Sequence, residues 1–237
     1  MDLGRLEPAL ADLTKAVELD PKNPEAWNNR GVVQMRLQQW DKATADFARA
    51  VELKPGYALA WRNKVQVHFN LGRWDLALQD LSTSLKVNSK DALLWSMRGW
   101  AHMQLNQLDK AIADHVEAIK LGPPHPLLWN NRSVAHLKLK QPDRALADCD
   151  KAIELDSKYA PAWFNRGEAC RQLGQWQKAA DAYLTSLRLG TLPSPDIPLA
   201  RSSLDGVLKE LERSQPENSN LSRFRAEAAK LQGPPGE

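Results

Sequence analysis

Small and apolar residues recur along this chain at a fixed, long interval. Alanine stands at Ala9, Ala43, Ala77, Ala111, Ala145 and Ala179, and a second small residue follows seven positions later at Ala16, Ala50, Ser84, Ala118, Ala152 and Ser186. A third small slot holds Gly31, Gly99, Ser133 and Gly167. Every series advances by 34 residues, the third skipping one period between Gly31 and Gly99. Between these positions run amphipathic stretches of helical period, broken inside each interval by segments such as Leu37 to Asp41 and Leu71 to Asp75. Pro21, Pro55 and Pro123 close intervals, while Pro24, Pro126 and Pro161 stand where the next helix starts. Small residues at fixed helical places let two helices approach closely, and large residues between them fill the remaining space. The pattern predicts a chain of helical hairpins, one per 34-residue period.

Tryptophan keeps the same beat. Of nine tryptophans, Trp27, Trp61, Trp95, Trp129 and Trp163 are each 34 residues apart. The set of Trp, Gly, Leu-Gly, aromatic, Ala, aromatic, Ala and Pro over this period resembles the tetratricopeptide repeat family. The resemblance implies an all-α, right-handed superhelical solenoid of five full units, 24–57, 58–91, 92–125, 126–159 and 160–193, preceded by the second helix of a truncated unit at 1–23. Some positions depart from the family pattern: Val65 fills the small slot, Pro142 replaces the aromatic of the turn, and His115 and Cys149 stand where Phe47 and Tyr183 stand in their units. After the array, residues 194–213 read as an amphipathic capping helix with Ile197, Leu199, Leu204, Val207, Leu208 and Leu211 on its apolar side. A linker, a short helix from Leu221 to Leu231 and an unstructured Gly-Pro-Pro-Gly end complete 214–237. The chain opens within a unit, at Leu3-Gly4, which reads as a truncation.

Composition removes several function classes. Hydrophobic residues make up 43% and charged residues 26%, an ordinary globular balance. The net charge of +3 comes from 32 basic and 29 acidic residues with interleaved signs, so no nucleic-acid footprint is expected. No apolar run reaches the ~18 residues of a membrane span, and no signal peptide is present at the start, so a cytoplasmic monomer is expected. Two cysteines, Cys149 and Cys170, are too few for a disulfide framework and have no basic partner placed to activate a thiol. His68, His102 and His136 share one slot, but equivalent places in successive hairpins lie ~10 Å apart, too far to share a metal. No phosphate loop or hydrolase motif occurs. The sequence therefore predicts no cofactor, no metal and no enzyme activity.

Two polar series remain. Arg30, Lys64, Arg98, Arg132 and Arg166 recur before the small slot, and Asp12, Asp46, Asp80, Asp114 and Asp148 recur in the second helices. Because Ala182 replaces the last Asp, pairing each base with the Asp of the preceding unit leaves none over, and an inter-repeat ladder is expected. The second series is Asn29, Asn63, Asn131 and Asn165, with Met97 as its break. In the family the first helix of each hairpin lines the concave surface. A carboxamide there offers a donor and an acceptor to a peptide main chain, about one per three residues of an extended segment. The neighbouring slot, Asn28, Arg62, Ser96, Asn130 and Phe164, varies and reads as exposed. Trp100 lies outside the repeating Trp slot, on the helix face that carries Met97 and Leu93, and is expected to anchor an apolar side chain. The slots that hold a carboxylate clamp in other family members carry Asn28, Val32, Asn63, Leu59 or Leu93, and Met97, which lack its lysines and arginines. The function expected is a scaffold that holds an extended segment of a partner protein. The alternative is the recognition arm of a longer enzyme.

Overall fold

A computed structural model describes residues 6–231. Thirteen α-helices, with no strand among the described residues, follow one another: α1 (Leu6–Leu19), α2 (Pro24–Arg36), α3 (Trp40–Leu53), α4 (Ala58–Asn70), α5 (Trp74–Val87), α6 (Ala92–Gln104), α7 (Leu108–Leu121), α8 (Pro126–Lys138), α9 (Pro142–Leu155), α10 (Ala160–Gln172), α11 (Trp176–Leu189), α12 (Asp196–Ser214) and α13 (Leu221–Lys230). The chain divides into two compact units between Gly122 and Pro123. The start at residues 3 and 4 and the Gly-Pro-Pro-Gly segment lie outside the described residues.

In the first unit, α2/α3, α4/α5 and α6/α7 form hairpins, and α1 packs on α2. The first helices also touch one another, α2 with α4 and α4 with α6, which makes their layer the tighter, inner one. The second unit repeats this with α8/α9 and α10/α11, where α8 meets α10 and α10 meets α12. Helix α13 folds against α11 and α12, burying Phe224 among Tyr183, Leu184, Leu204 and Leu211.

Each hairpin closes on a pair of residues 16 apart. A Cβ on Gly31 would come within 2.7 Å of the Phe47 ring, one on Gly99 within 2.7 Å of His115, and one on Gly167 within 2.7 Å of Tyr183. Where Val65 takes the small slot, Leu81 takes the ring's place, and both are fully buried in one core. The departure at Val65 is thus a matched exchange of volume across its hairpin, while His115 keeps the ring's place against Gly99.

The turn inside each hairpin needs a left-handed residue, and it falls at Gln38, Gly72, Asn106, Lys140 and Gly174, with φ between 56° and 69°. The next amide returns to the first helix, as Gln39 N donates to Gln34 O at 2.9 Å and Arg73 N to His68 O at 2.9 Å. Between hairpins, the indole of Trp27 donates to Pro21 O at 3.0 Å. Trp61, Trp95 and Trp163 do the same to Pro55 O, Ser89 O and Ser157 O, at 2.8 to 2.9 Å.

The basic and acidic series pair within hairpins, not between them. Arg30 forks onto Asp46 at 2.6 and 2.8 Å, Lys64 meets Asp80 at 2.8 Å, Arg98 forks onto Asp114 at 2.8 and 2.7 Å, and Arg132 onto Asp148 at 2.8 and 2.6 Å. This corrects the inter-repeat ladder expected from the sequence. The facing surfaces of a hairpin bring residues 16 apart together, as at Gly31 and Phe47, so the base one position earlier meets the Asp one position earlier. Asp12 needs no partner because it is exposed. Arg166, facing Ala182, turns instead to Asp150 of the preceding hairpin at 2.8 Å. Each base also lies over its own repeat's tryptophan ring, from 4.6 Å for Arg98 over Trp95 to 5.7 Å for Arg166 over Trp163.

Candidate functional site

The inner layer of first helices carries the residues singled out for binding. In the first unit, Asn29 is exposed and Asn63 half-buried. Asn28, between them in the structure, is only 1% exposed. It donates through Nδ2 to Asn29 Oδ1 at 3.3 Å and accepts at Oδ1 from Asn63 Nδ2 at 2.9 Å. Met97 is half-buried and packs against the core that holds Val65, Leu81 and Leu94. Trp100 is 39% exposed, and Leu59 and Leu93 of the neighbouring slot are 44% and 50% exposed. In the second unit, Asn131 is half-buried, while Asn165 is buried and donates through Nδ2 to Asn130 Oδ1 at 2.9 Å.

The slot of Asn28 and Asn130 is therefore not the exposed, freely varying position that its sequence suggested. Both side chains are buried between first helices and hold the asparagine of the next repeat. The signal was in the sequence: the donor follows its acceptor by 35 residues in both units. Asn63 is also tied into the fold through its bond to Asn28. One of its two N–H groups is committed to that bond. Leu59 is a second feature that sequence reasoning used only to argue against a clamp.

The recurring histidines serve their own hairpins. His68 Nε2 lies 3.1 Å from Asp80 Oδ2, while His102 and His136 bond through Nδ1 to Gln107 and Gln141 at 2.8 and 2.9 Å. Burial pushes the Asp80 carboxyl up, but hydrogen bonds from His68 and Lys64 outweigh it and hold the group below its ordinary value. Burial lowers the His102 imidazole. Among the described residues no three His, Cys, Asp or Glu side chains converge as a metal site. Burial raises the Cys149 thiol to about 12, with Ser133 only partly offsetting it, and Cys170 is raised by burial too. Neither thiol has the character of a nucleophile. At the far end of the second unit, Glu168 accepts from Tyr183 Oη at 2.5 Å, Ser203 Oγ at 3.0 Å and Arg171 at 2.8 Å, tying α10, α11 and α12 together.

The comparisons with known proteins bear on this arrangement. Family models described as tetratricopeptide repeat match residues 62–126 and 131–191, and residues 24–57. A third, described as TPR repeat, matches 1–38. The chain belongs to the tetratricopeptide repeat family. A search of curated proteins finds no match. Among solved structures it is similar to YrrB, described as a tetratricopeptide repeat protein with an unusual peptide-binding site, at 20% identity over 81% of this chain and 97% of that one, with a TM-score of 0.64. It is similar to a structure described as the Cut9–Hcn1 hetero-tetramer of the APC/C, at 22% identity over 96% of this chain and 46% of that one, with a TM-score of 0.66. The C-terminal part of a tetratricopeptide repeat protein from Cytophaga hutchinsonii matches at 15% identity over 93% and 94%, with a TM-score of 0.66. At these identities the likeness is one of fold. A tetratricopeptide fold supports a role as a protein–protein interaction scaffold. No helix among the described residues is long and apolar enough to cross a membrane.

Proposed function

We propose that this tetratricopeptide repeat protein is a non-enzymatic scaffold that holds an extended segment of a partner protein on its inner helices. The observation that carries the reading lies within the first unit. Asn29 and Asn63 put carboxamides on the inner layer, and that layer also leaves Leu59, Leu93 and Trp100 between 39% and 50% exposed. Carboxamides match the donor and acceptor of a main chain, and a part-exposed indole takes an apolar side chain. The solenoid does not require a large ring at the Trp100 slot, which the other repeats fill with Val32, Gln66, Val134 and Glu168. In the second unit Asn131 and Asn165 continue the series, with Asn165 offering the smaller surface. The fold's resemblance to YrrB, a protein with a peptide-binding site, supports the same reading.

The test begins with short peptides selected from a displayed random library on the wild-type protein. Trp100→Ala should weaken the selected peptides by about 30-fold or more, ~2 kcal/mol, and leave the melting temperature nearly unchanged. Early unfolding of the variant with normal binding by its folded fraction would assign Trp100 to the core instead.

A further inference from the structure

We propose that Asn28 and Asn130 are positioning residues that fix the carboxamides of the following repeat, Asn63 and Asn165, in one orientation for a peptide main chain. This rests on the groove reading above and names a part of it that the binding residues alone do not explain. A carboxamide buried to 1% or 6% exposure is unfavourable unless its polar atoms are bonded. Asn28 and Asn130 each spend their oxygen on the Nδ2 of the asparagine 35 residues later, both at 2.9 Å. The same bond, built separately in each unit, is a repeated device.

The consequence falls on the second partner. A free asparagine side chain turns about its last bond, and a peptide that needs both its oxygen and its nitrogen must halt that rotation on binding. In Asn63 one N–H already points at Asn28, so the amide plane is fixed and the oxygen faces the opposite way. Affinity gained by removing such freedom beforehand is preorganisation. The break in the series agrees. Arg62 occupies the acceptor slot and is turned to Asp91 at 3.4 Å, and 35 residues after it stands Met97, which has no amide to orient.

The experiment uses the full chain and reads two quantities. Side-chain amide NMR measures solvent exchange of the Asn63 Nδ2 protons, and binding is measured with a library-selected peptide whose affinity Asn63→Ala weakens. Asn28→Ala should speed exchange of the bonded Asn63 proton about tenfold or more, and weaken the peptide by a substantial part of the loss seen in Asn63→Ala. A coupler with only a structural role would lower the melting temperature while the folded protein bound the peptide as before, and that result overturns the proposal. A second route needs no loss of structure. Met97→Asn alone should leave the new carboxamide in fast exchange with little gain in affinity, whereas Met97→Asn with Arg62→Asn should slow the exchange and strengthen binding. Equal behaviour of the single and double variants would also overturn it. If no selected peptide responds to Asn63→Ala, the groove reading fails and the ligand half of the proposal with it, while the exchange data still decide whether Asn28 fixes Asn63.

Discussion

A single methyl group at Gly31 would sit 2.7 Å from the ring of a fully buried Phe47. Gly31→Ala removes a flexible residue from a helix interior, worth ~1 kcal/mol in favour of folding, but the ring has nowhere to go and overpacking costs ~1–3 kcal/mol. The expected outcome is a net loss in urea unfolding, part of which returns when Phe47→Leu is added, since Val65 and Leu81 already coexist in the next hairpin. A raised urea midpoint for the single variant would show that the ring yields. Charge follows the same geometry. Asp80 is held below its ordinary value, so the stability it contributes is present above the ordinary carboxylate range and is lost as pH falls through its folded value. The melting temperature should therefore drop below about pH 4, and Asp80→Asn should lower it at neutral pH while making the acid loss shallower. Parallel acid curves for the two proteins would contradict this. The slots themselves were legible in the sequence as series of 34, but their pairing was not. Each first helix lies between two second helices, its own and the preceding one, whose matching residues stand at +16 and −18. Those offsets differ by one period, so recurrence cannot tell them apart, and counting leftover partners misled because an exposed Asp12 needs none.

At the scale of elements, the hairpin turn imposes one backbone conformation five times and the sequence supplies glycine for two of them. Gly72 and Gly174 adopt positive φ without strain, whereas Gln38 and Lys140 place a Cβ there at φ of 58° and 57°. Replacing Gln38 or Lys140 by Gly should raise stability by about 1 kcal/mol, and Gly174→Ala should lower it by a similar amount, read as shifts of the denaturant midpoint. Unchanged midpoints in all three would mean that the turn relaxes. This is why the break after each first helix was readable from Leu71-Gly72 and its equivalents while the cost at Gln38 was not: the hydrophobic pattern of the flanking helices fixes the turn, and one strained residue is tolerated within it. The candidate site was legible to the same degree. Recurrence marked Asn29, Asn63, Asn131 and Asn165 as a series, but burial of Asn28 and Asn130 follows from how closely the first helices approach, which a one-dimensional pattern does not contain.

For the whole molecule, contacts within each unit run from each helix to its near neighbours, so a local defect should stay local. Phe224 pins α13 into the end of the second unit, and Phe224→Ala removes a buried ring worth ~3–5 kcal/mol. Amide exchange should accelerate through α11, α12 and α13 and remain as before in α4 and α5; uniform acceleration along the chain would show instead that the array opens as one body. The indole bonds described between hairpins have a further consequence, for how such a chain changes length. Trp27, Trp61, Trp95 and Trp163 each reach back six positions to a carbonyl across the bend that joins one hairpin to the next. A ring has one reach, so a single inserted or deleted residue in that bend would carry the carbonyl away from the N–H and strand a donor. Composition can drift freely around such a gauge while length cannot: the chain can gain or lose thirty-four residues at a time far more readily than one.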